Sequence, residues 1–276
     1  MSSVRSRRLD RFAREATQAR IQALRLEMKR ARRSQHPDQV HDLRVSIRRL
    51  RACLAAFPTV FSRHRTRSLR KRLRRLFHLA GRVRDADIAV ELRSGDPRAC
   101  KDLRAARRKD ARRLRRKLRK GPRRSILRRA RAALRHAAPD PRDAAALAAE
   151  NLGAEMAALL AHGERAVPSD APPQQLHQLR IRVKKLRYAC EIFEPLLGRA
   201  ARERIDLLSG LQDVLGAIQD CQTALAHAAP DDLSFRADAE ARRESLRGRL
   251  REYWRRRLDD AAPAVFRAAT GSAGAT

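Results

Sequence analysis

Aromatic side chains are scarce, with seven Phe, two Tyr and one Trp among 276 residues. Single-stranded nucleic acid is commonly held on aromatic platforms, so a base-stacking surface is not expected, while binding through phosphates alone is untouched. Cysteine is equally sparse. Cys53, Cys100, Cys190 and Cys221 form no C-x-x-C pair and have no His at zinc-ligand spacing. Neither a disulfide framework nor a Cys/His zinc site is expected; the four read as small buried hydrophobes in a reducing compartment. β-branched residues are too few to sustain an alternating strand pattern. No run approaches the ~18 apolar residues of a membrane span, and residues 1–12 lack the apolar stretch of a secretory signal. Membrane insertion is therefore not expected, and the cytoplasm is the expected location. Neither G-x-x-x-x-G-K-[ST] nor G-x-G-x-x-G occurs, which removes the familiar glycine-rich phosphate loops.

What is abundant is positive charge. Lys and Arg number 65 against 31 Asp and Glu, a formal net charge of +34. Self-repulsion on this scale opposes compaction, and its usual counterpart is a partner dense in anions. Hydrophobic residues make up 43% of the chain, enough to build a core and too many for a disordered basic tail.

Ala, Leu and Arg dominate, and all three favour helix. Prolines mark the breaks. The pattern predicts eight helices, near 5–34, 38–57, 60–93, 98–136, 142–166, 172–194, 199–228 and 231–268. Gly81, Gly121-Pro122, Gly210 and Gly216 are weak points within them. Asp38 is the expected N-cap of the second helix and Pro58 its stop. Ala137 to Pro141 reads as the mid-chain linker, Val167 to Pro173 as a rigid loop, and residues 271–276 as a frayed end.

The linker separates two halves that repeat, 1–138 and 139–276. His41-Asp42-Leu43-Arg44-Val45-Ser46-Ile47-Arg48-Arg49-Leu50-Arg51 matches His177-Gln178-Leu179-Arg180-Ile181-Arg182-Val183-Lys184-Lys185-Leu186-Arg187 at an offset of 136, which Phe57 and Phe193 keep. Leu76, Gly81 and Asp85 then match Leu211, Gly216 and Asp220 at an offset of 135. Isolated matches mean little in a chain this rich in Arg and Leu, but an ordered series in one register does not arise easily by chance. The expected fold is all-α, two tandem four-helix units related by a pseudo-twofold axis.

On a wheel of about 100° per residue, His41, Arg44, Arg48 and Arg51 fall within an arc of roughly 80°. Leu43, Ile47, Leu50 and Leu54 form the neighbouring stripe, so one side packs inward and the next displays imidazole and guanidinium groups. His177, Arg180, Lys184 and Arg187 repeat the ladder. Guanidinium offers a rigid fork that grips phosphate oxygens with two parallel hydrogen bonds, and Lys adds a mobile point charge. A basic helix face is often only solvated; the same H-x-x-R-x-x-x-[RK]-x-x-R spacing in both halves favours a binding surface.

Asp85 and Asp220 suit a structural role, orienting arginines, and an acid–base or metal role lacks a convergent ligand set. Gly81 and Gly216 suit close helix approach or a bend. The basic run Arg104 to Arg124 suits an electrostatic funnel and a solvated face equally well, and Arg70 to Arg75 reads the same way.

These paired motifs, with Ala80-Gly81-Arg82-Val83-Arg84-Asp85-Ala86-Asp87 and Leu211-Gln212-Asp213-Val214-Leu215-Gly216-Ala217-Ile218-Gln219-Asp220 after them, resemble the CHAD domain, the conserved histidine α-helical domain. The resemblance runs from about Arg5 to about Arg267. It implies two four-helix bundles with pseudo-twofold symmetry around a basic central groove that binds inorganic polyphosphate. It also implies association with polyphosphate or polyhydroxyalkanoate granules in some members. By motif, the implied contacts are His41, Arg44, Arg48, Arg51, His177, Arg180, Lys184 and Arg187, with Arg49, Lys185 and Tyr188 as further members. Many CHAD domains adjoin a CYTH triphosphatase domain; none is seen here, so no catalytic partner is expected on the chain. The family's histidines have been considered metal ligands, but no carboxylate or Cys set accompanies them, and neither a metal nor a cofactor is expected.

The leading expectation is thus non-catalytic binding of inorganic polyphosphate. A nucleic-acid-binding protein is the alternative, with no zinc-finger, helix-turn-helix or RNP-like signature to support it. A metal-dependent phosphohydrolase acting on polyphosphate or nucleotides would need carboxylates beside the phosphates, for which Asp85, Asp87 and Asp220 are the candidates.

Overall fold

The computed structural model describes residues 7–92, 97–168, 171–227 and 233–259, and these are predominantly helical with no β-strand among them. They form two compact units, Arg7–Arg142 and the chain from Asp143 onward. The end of the last expected helix and residues 271–276 lie outside the described residues.

The first unit holds α1 (Leu9–Arg33), α2 (Pro37–Ala56), α3 (Arg63–Leu92), α4 (Pro97–Lys117) and α5 (Lys120–Arg135). Neighbours in sequence pack side by side from α1 to α4, and α5 lies against α1 and α3. The expected single helix over 98–136 is broken at Leu118 and Arg119. Pro122 dictates the break: in a continuous helix its missing N–H would face the Leu118 carbonyl and its ring would clash there. In the first turn of α5 the same proline is tolerated. At α2, His36 stands at the N-cap and Pro37 at the first helical position. Asp38 therefore sits inside the first turn rather than at the cap, with its carboxylate 3.3 Å from His36 Nδ1. It still favours the positive end of the helix dipole. The core stripe of α2 is Leu43, Ile47, Leu50 and Leu54, all fully buried.

The stretch expected to be a linker is fastened into this unit. Ala138 N–H donates to the Val60 carbonyl, Leu9 N–H to Arg142 O, and Arg14 to the carbonyls of Leu134 and Ala137. Asp140 accepts from the Thr59 hydroxyl (2.6 Å) and from the Arg142 side chain (2.8 Å). The two compact units meet in the chain at 142/143.

The second unit holds α6 (Ala144–Ala166), α7 (Pro173–Leu197), α8 (Arg199–His227) and α9 (Leu233–Trp254), each packed on the next, and ends in a π-helical turn, Arg255–Asp259. Asp143 caps α6 by accepting from the Ala145 and Ala146 amides. α6 revises one sequence expectation: by length and composition it could cross a membrane, with an 18-residue window of mean hydropathy 1.2. Here its Leu152, Met156 and Leu159 are buried. A Cβ on Gly163 would overlap the Trp254 indole, so glycine permits that close α6–α9 approach. α7 ends at Gly198, whose φ of +56° is open to glycine at little cost. Neither α3 at Gly81 nor α8 at Gly210 and Gly216 is interrupted. Helix-compatible φ and flanking packing outweigh a glycine cost of about 1 kcal/mol. All four cysteines are free and buried. Burial pushes the Cys190 thiol up to about 12, against the opposing charge of the buried Arg204.

Candidate anion-binding faces on α2–α3 and α7–α8

In the first unit, α2 and α3 build one face together. Positions 70, 74, 77, 81 and 84 are spaced by three and four, so they line one side of α3. Opposite them α2 presents Arg44, Arg48 and Arg51, each half-buried. The Arg44 guanidinium lies 4.5 Å over the Phe77 ring, and Arg51 lies 5.7 Å from the same ring. A Cβ on Gly81 would overlap Arg44 Nη1, so glycine opens the slot that the guanidinium fills. Burial, chiefly, holds the Arg44 guanidinium below the ordinary arginine range; the Arg48 and Arg84 charges add to this and Asp85 opposes it. Burial and then Arg74 lower Arg51. Burial, Arg63 and Arg51 lower Arg70. These arginines are therefore close enough to repel one another in surroundings that are only partly solvated. Arg70 also donates to the Leu54 carbonyl (2.6 Å), serving the end of α2, whose last turn has no basic residue. Arg48 Nε is buried and makes no hydrogen bond among the described residues.

His41 is exposed at the N-terminal end of this ladder, with Nδ1 3.5 Å from Asp42 Oδ1. Arg49, about 100° further round the helix than Arg48, is exposed away from the face built by Arg44, Arg48 and Arg51.

The matching face of the second unit is weaker. His177 is exposed and its Nδ1 is 3.1 Å from Gln219 Oε1. Arg180 and Lys184 are half-buried along α7. Arg187 is committed to Glu191 (3.1 Å) and lies over the Tyr188 ring. Tyr188 is itself buried. Lys185 pairs with Glu155 of α6 and so leaves the ladder. At the 135-residue offset, Arg70, Arg74, Phe77 and Arg84 correspond to Ile205, Ser209, Gln212 and Gln219, so α8 adds no cation here. The charge count agrees. Residues 7–142 hold 45 Lys and Arg against 12 Asp and Glu, whereas residues 143–276 hold 19 of each.

Arg70, Arg74, Phe77 and Arg84 are the members that motif reading missed. The signal was present as the three-and-four spacing through Gly81, obscured by the many other arginines of α3. The charge of Asp85 attracts Arg44. Among the described residues no three His, Cys, Asp or Glu side chains converge as a metal set.

The CHAD domain family model matches residues 15–229. The chain belongs to the CHAD domain family. Two solved structures share its fold. The CHAD domain from the plant Ricinus communis aligns with a TM-score of 0.63 and 19% identity, over 97% of this chain and 93% of that one. PptA from Streptomyces chartreusis aligns with a TM-score of 0.62 and 18% identity, over 90% of this chain and 100% of that one. No curated protein matches the chain. At these identities the CHAD likeness carries the fold, and the chemistry rests on the residues above.

Proposed function

We propose that this CHAD protein binds inorganic polyphosphate without turning it over, chiefly through the α2–α3 face of its first unit. The observation that carries the reading is the packing of Arg44 and Arg51 against the Phe77 ring, where half-buried Arg48 and Arg84 and exposed Arg74 crowd like charges onto one face. Such a cluster costs free energy alone and is relieved by an anion. A linear polymer suits it, because Arg44 to Arg51 spans about 10 Å along the helix at ~1.5 Å per residue. His41 extends the row, and Arg180, Lys184 and His177 supply a smaller second contribution. Release of counterions from the polymer provides much of the driving force, as it does for nucleic acid phosphates. The proposed setting is the cytoplasm, on or near granules that carry polyphosphate.

The test is affinity for polyphosphate of graded lengths across a salt series, with duplex DNA as comparator. Affinity is expected to rise with chain length. With six phosphate contacts it should fall by about a thousandfold between about 50 and 200 mM salt. Polyphosphate displaced readily by DNA at equal phosphate concentration would favour the nucleic-acid reading instead. Turnover of polyphosphate with Mg²⁺ or Mn²⁺, lost on Asp85→Ala, would overturn the non-catalytic one.

A further inference from the structure

A second concentration of charge lies elsewhere in the first unit. Where the C-terminal turns of α1 and α4 meet the α4–α5 junction, there is an open cavity of about 650 Å³ whose lining side chains are all Arg or Lys. Arg32 comes from α1, Lys109, Arg112, Arg115 and Arg116 from α4, and Arg119 from the junction. Arg113 also reaches it but is held 3.3 Å from Asp110, which Arg82 grips as well at 2.9 Å. Among the described residues, the other six form no ion pair. No residue of α2 takes part, so this is not an extension of the ladder.

Helix dipoles account for part of this pattern and not for the rest. Arg32, Arg115 and Arg116 stand in last turns, where a cation is favoured. The effect fades within one turn, yet Lys109 and Arg112 lie further back. Arg119 stands at the start of α5, where a cation is disfavoured, and no acidic residue follows in that first turn. The wall is also fixed in place. Arg107 bonds Asp87 and donates to the Gln35 carbonyl, while the Gln35 amide donates to Ala111 O at 2.7 Å. α4 is thereby pinned to the α1–α2 connection and to α3.

From this we infer a second anion site, independent of the α2–α3 face, that takes a compact small molecule carrying several clustered phosphates. The charged groups of the lining are all cationic N–H donors, carried on aliphatic stems. None of its side chains is an aromatic ring for a base or an acceptor for a sugar hydroxyl, so phosphates are what these side chains suit best. The volume is that of a small-molecule site, and cations approach from two helices and a junction rather than along one axis. Both points select a cluster of phosphates over a long chain. A linear oligophosphate and a multiply phosphorylated ring share this chemistry.

The experiment uses the full chain carrying Arg44→Ala/Arg48→Ala, which weakens the α2–α3 face. Tripolyphosphate and inositol hexakisphosphate are titrated separately by calorimetry at near-physiological salt. Saturable binding of at least one is expected, and which one binds identifies the source. Adding Arg112→Gln/Arg115→Gln/Arg116→Gln should weaken it by about tenfold or more through loss of charge-assisted contacts. The comparison variant Arg124→Gln/Arg128→Gln/Arg131→Gln removes equal charge from exposed positions on α5, outside the cavity, and should change affinity by no more than about twofold. Equal losses in the two triple variants would overturn the site, because net charge alone would then explain binding. So would absence of saturable binding for both ligands. Neither outcome bears on polyphosphate binding by the unmodified α2–α3 face.

Discussion

Gly81 of α3 and Gly216 of α8 occupy matching positions in the two halves of the repeat, yet they face different surroundings. A side chain on Gly81 would strike the Arg44 guanidinium, whereas nothing lies within 4 Å of a Cβ placed on Gly216. The same divergence runs through the faces around them. In the first unit α3 answers the α2 ladder with Arg70, Arg74, Phe77 and Arg84; in the second, α8 answers α7 with Ile205, Ser209, Gln212 and Gln219. The charge follows, since the first unit has 45 basic residues against 12 acidic ones and the chain from Asp143 onward has 19 of each. A duplicated motif therefore does not imply a duplicated face. The repeat preserves the helix and its core stripe, while the opposing helix decides how much positive potential the face holds.

The largest consequence concerns paired substitutions. Arg44→Ala/Arg48→Ala should weaken polyphosphate binding by about a hundredfold, from two charge-assisted contacts at about 1.5 kcal/mol each. Arg180→Ala/Lys184→Ala should cost less than about tenfold, since fewer cations reinforce that row. Equal losses in a binding titration would break the contrast between units, provided circular dichroism shows unchanged helicity. The glycines sharpen it. Gly81→Ala should displace the Arg44 guanidinium and weaken binding by roughly tenfold. Gly216→Ala should leave binding unchanged and raise stability by about 1 kcal/mol through helix propensity, as read by urea unfolding.

The smallest effect lies in the strap of the first unit. Hydrogen bonds from Arg142, with Thr59 assisting and burial opposing, hold the Asp140 carboxyl well below the usual carboxylate range. A carboxyl depressed on folding stabilises fully above its unfolded pKa of about 3.9, and that stabilisation is lost as pH falls from there through the folded value. Asp140→Asn should lower the urea midpoint at neutral pH and flatten its decline in acid. A parallel, undiminished decline in the variant would remove Asp140 from the explanation.

Much of this was legible in the sequence. Leu43, Ile47, Leu50 and Leu54 announced α2 and its buried stripe through spacing alone, and the repeat announced α7. The α4–α5 break was only half legible: Gly121-Pro122 marked it, but the proline acts four residues back, at Leu118. The committed side chains were not legible. Lys185 and Arg187 match Arg49 and Arg51 of the first half, yet Glu155 and Glu191 claim them, and neither acid lies within the motif. Phe77 was hidden because a cation–π contact depends on how two helices face each other, which local spacing does not encode.

The most direct test of the central claim is arginine footprinting with phenylglyoxal, read by mass spectrometry on the full chain with and without long-chain polyphosphate. Arg44, Arg48, Arg51, Arg74 and Arg84 are expected to be the most strongly protected, with Arg124, Arg128 and Arg131 of α5 little changed. Protection spread evenly over all arginines of the first unit, or strongest on α7, would contradict it.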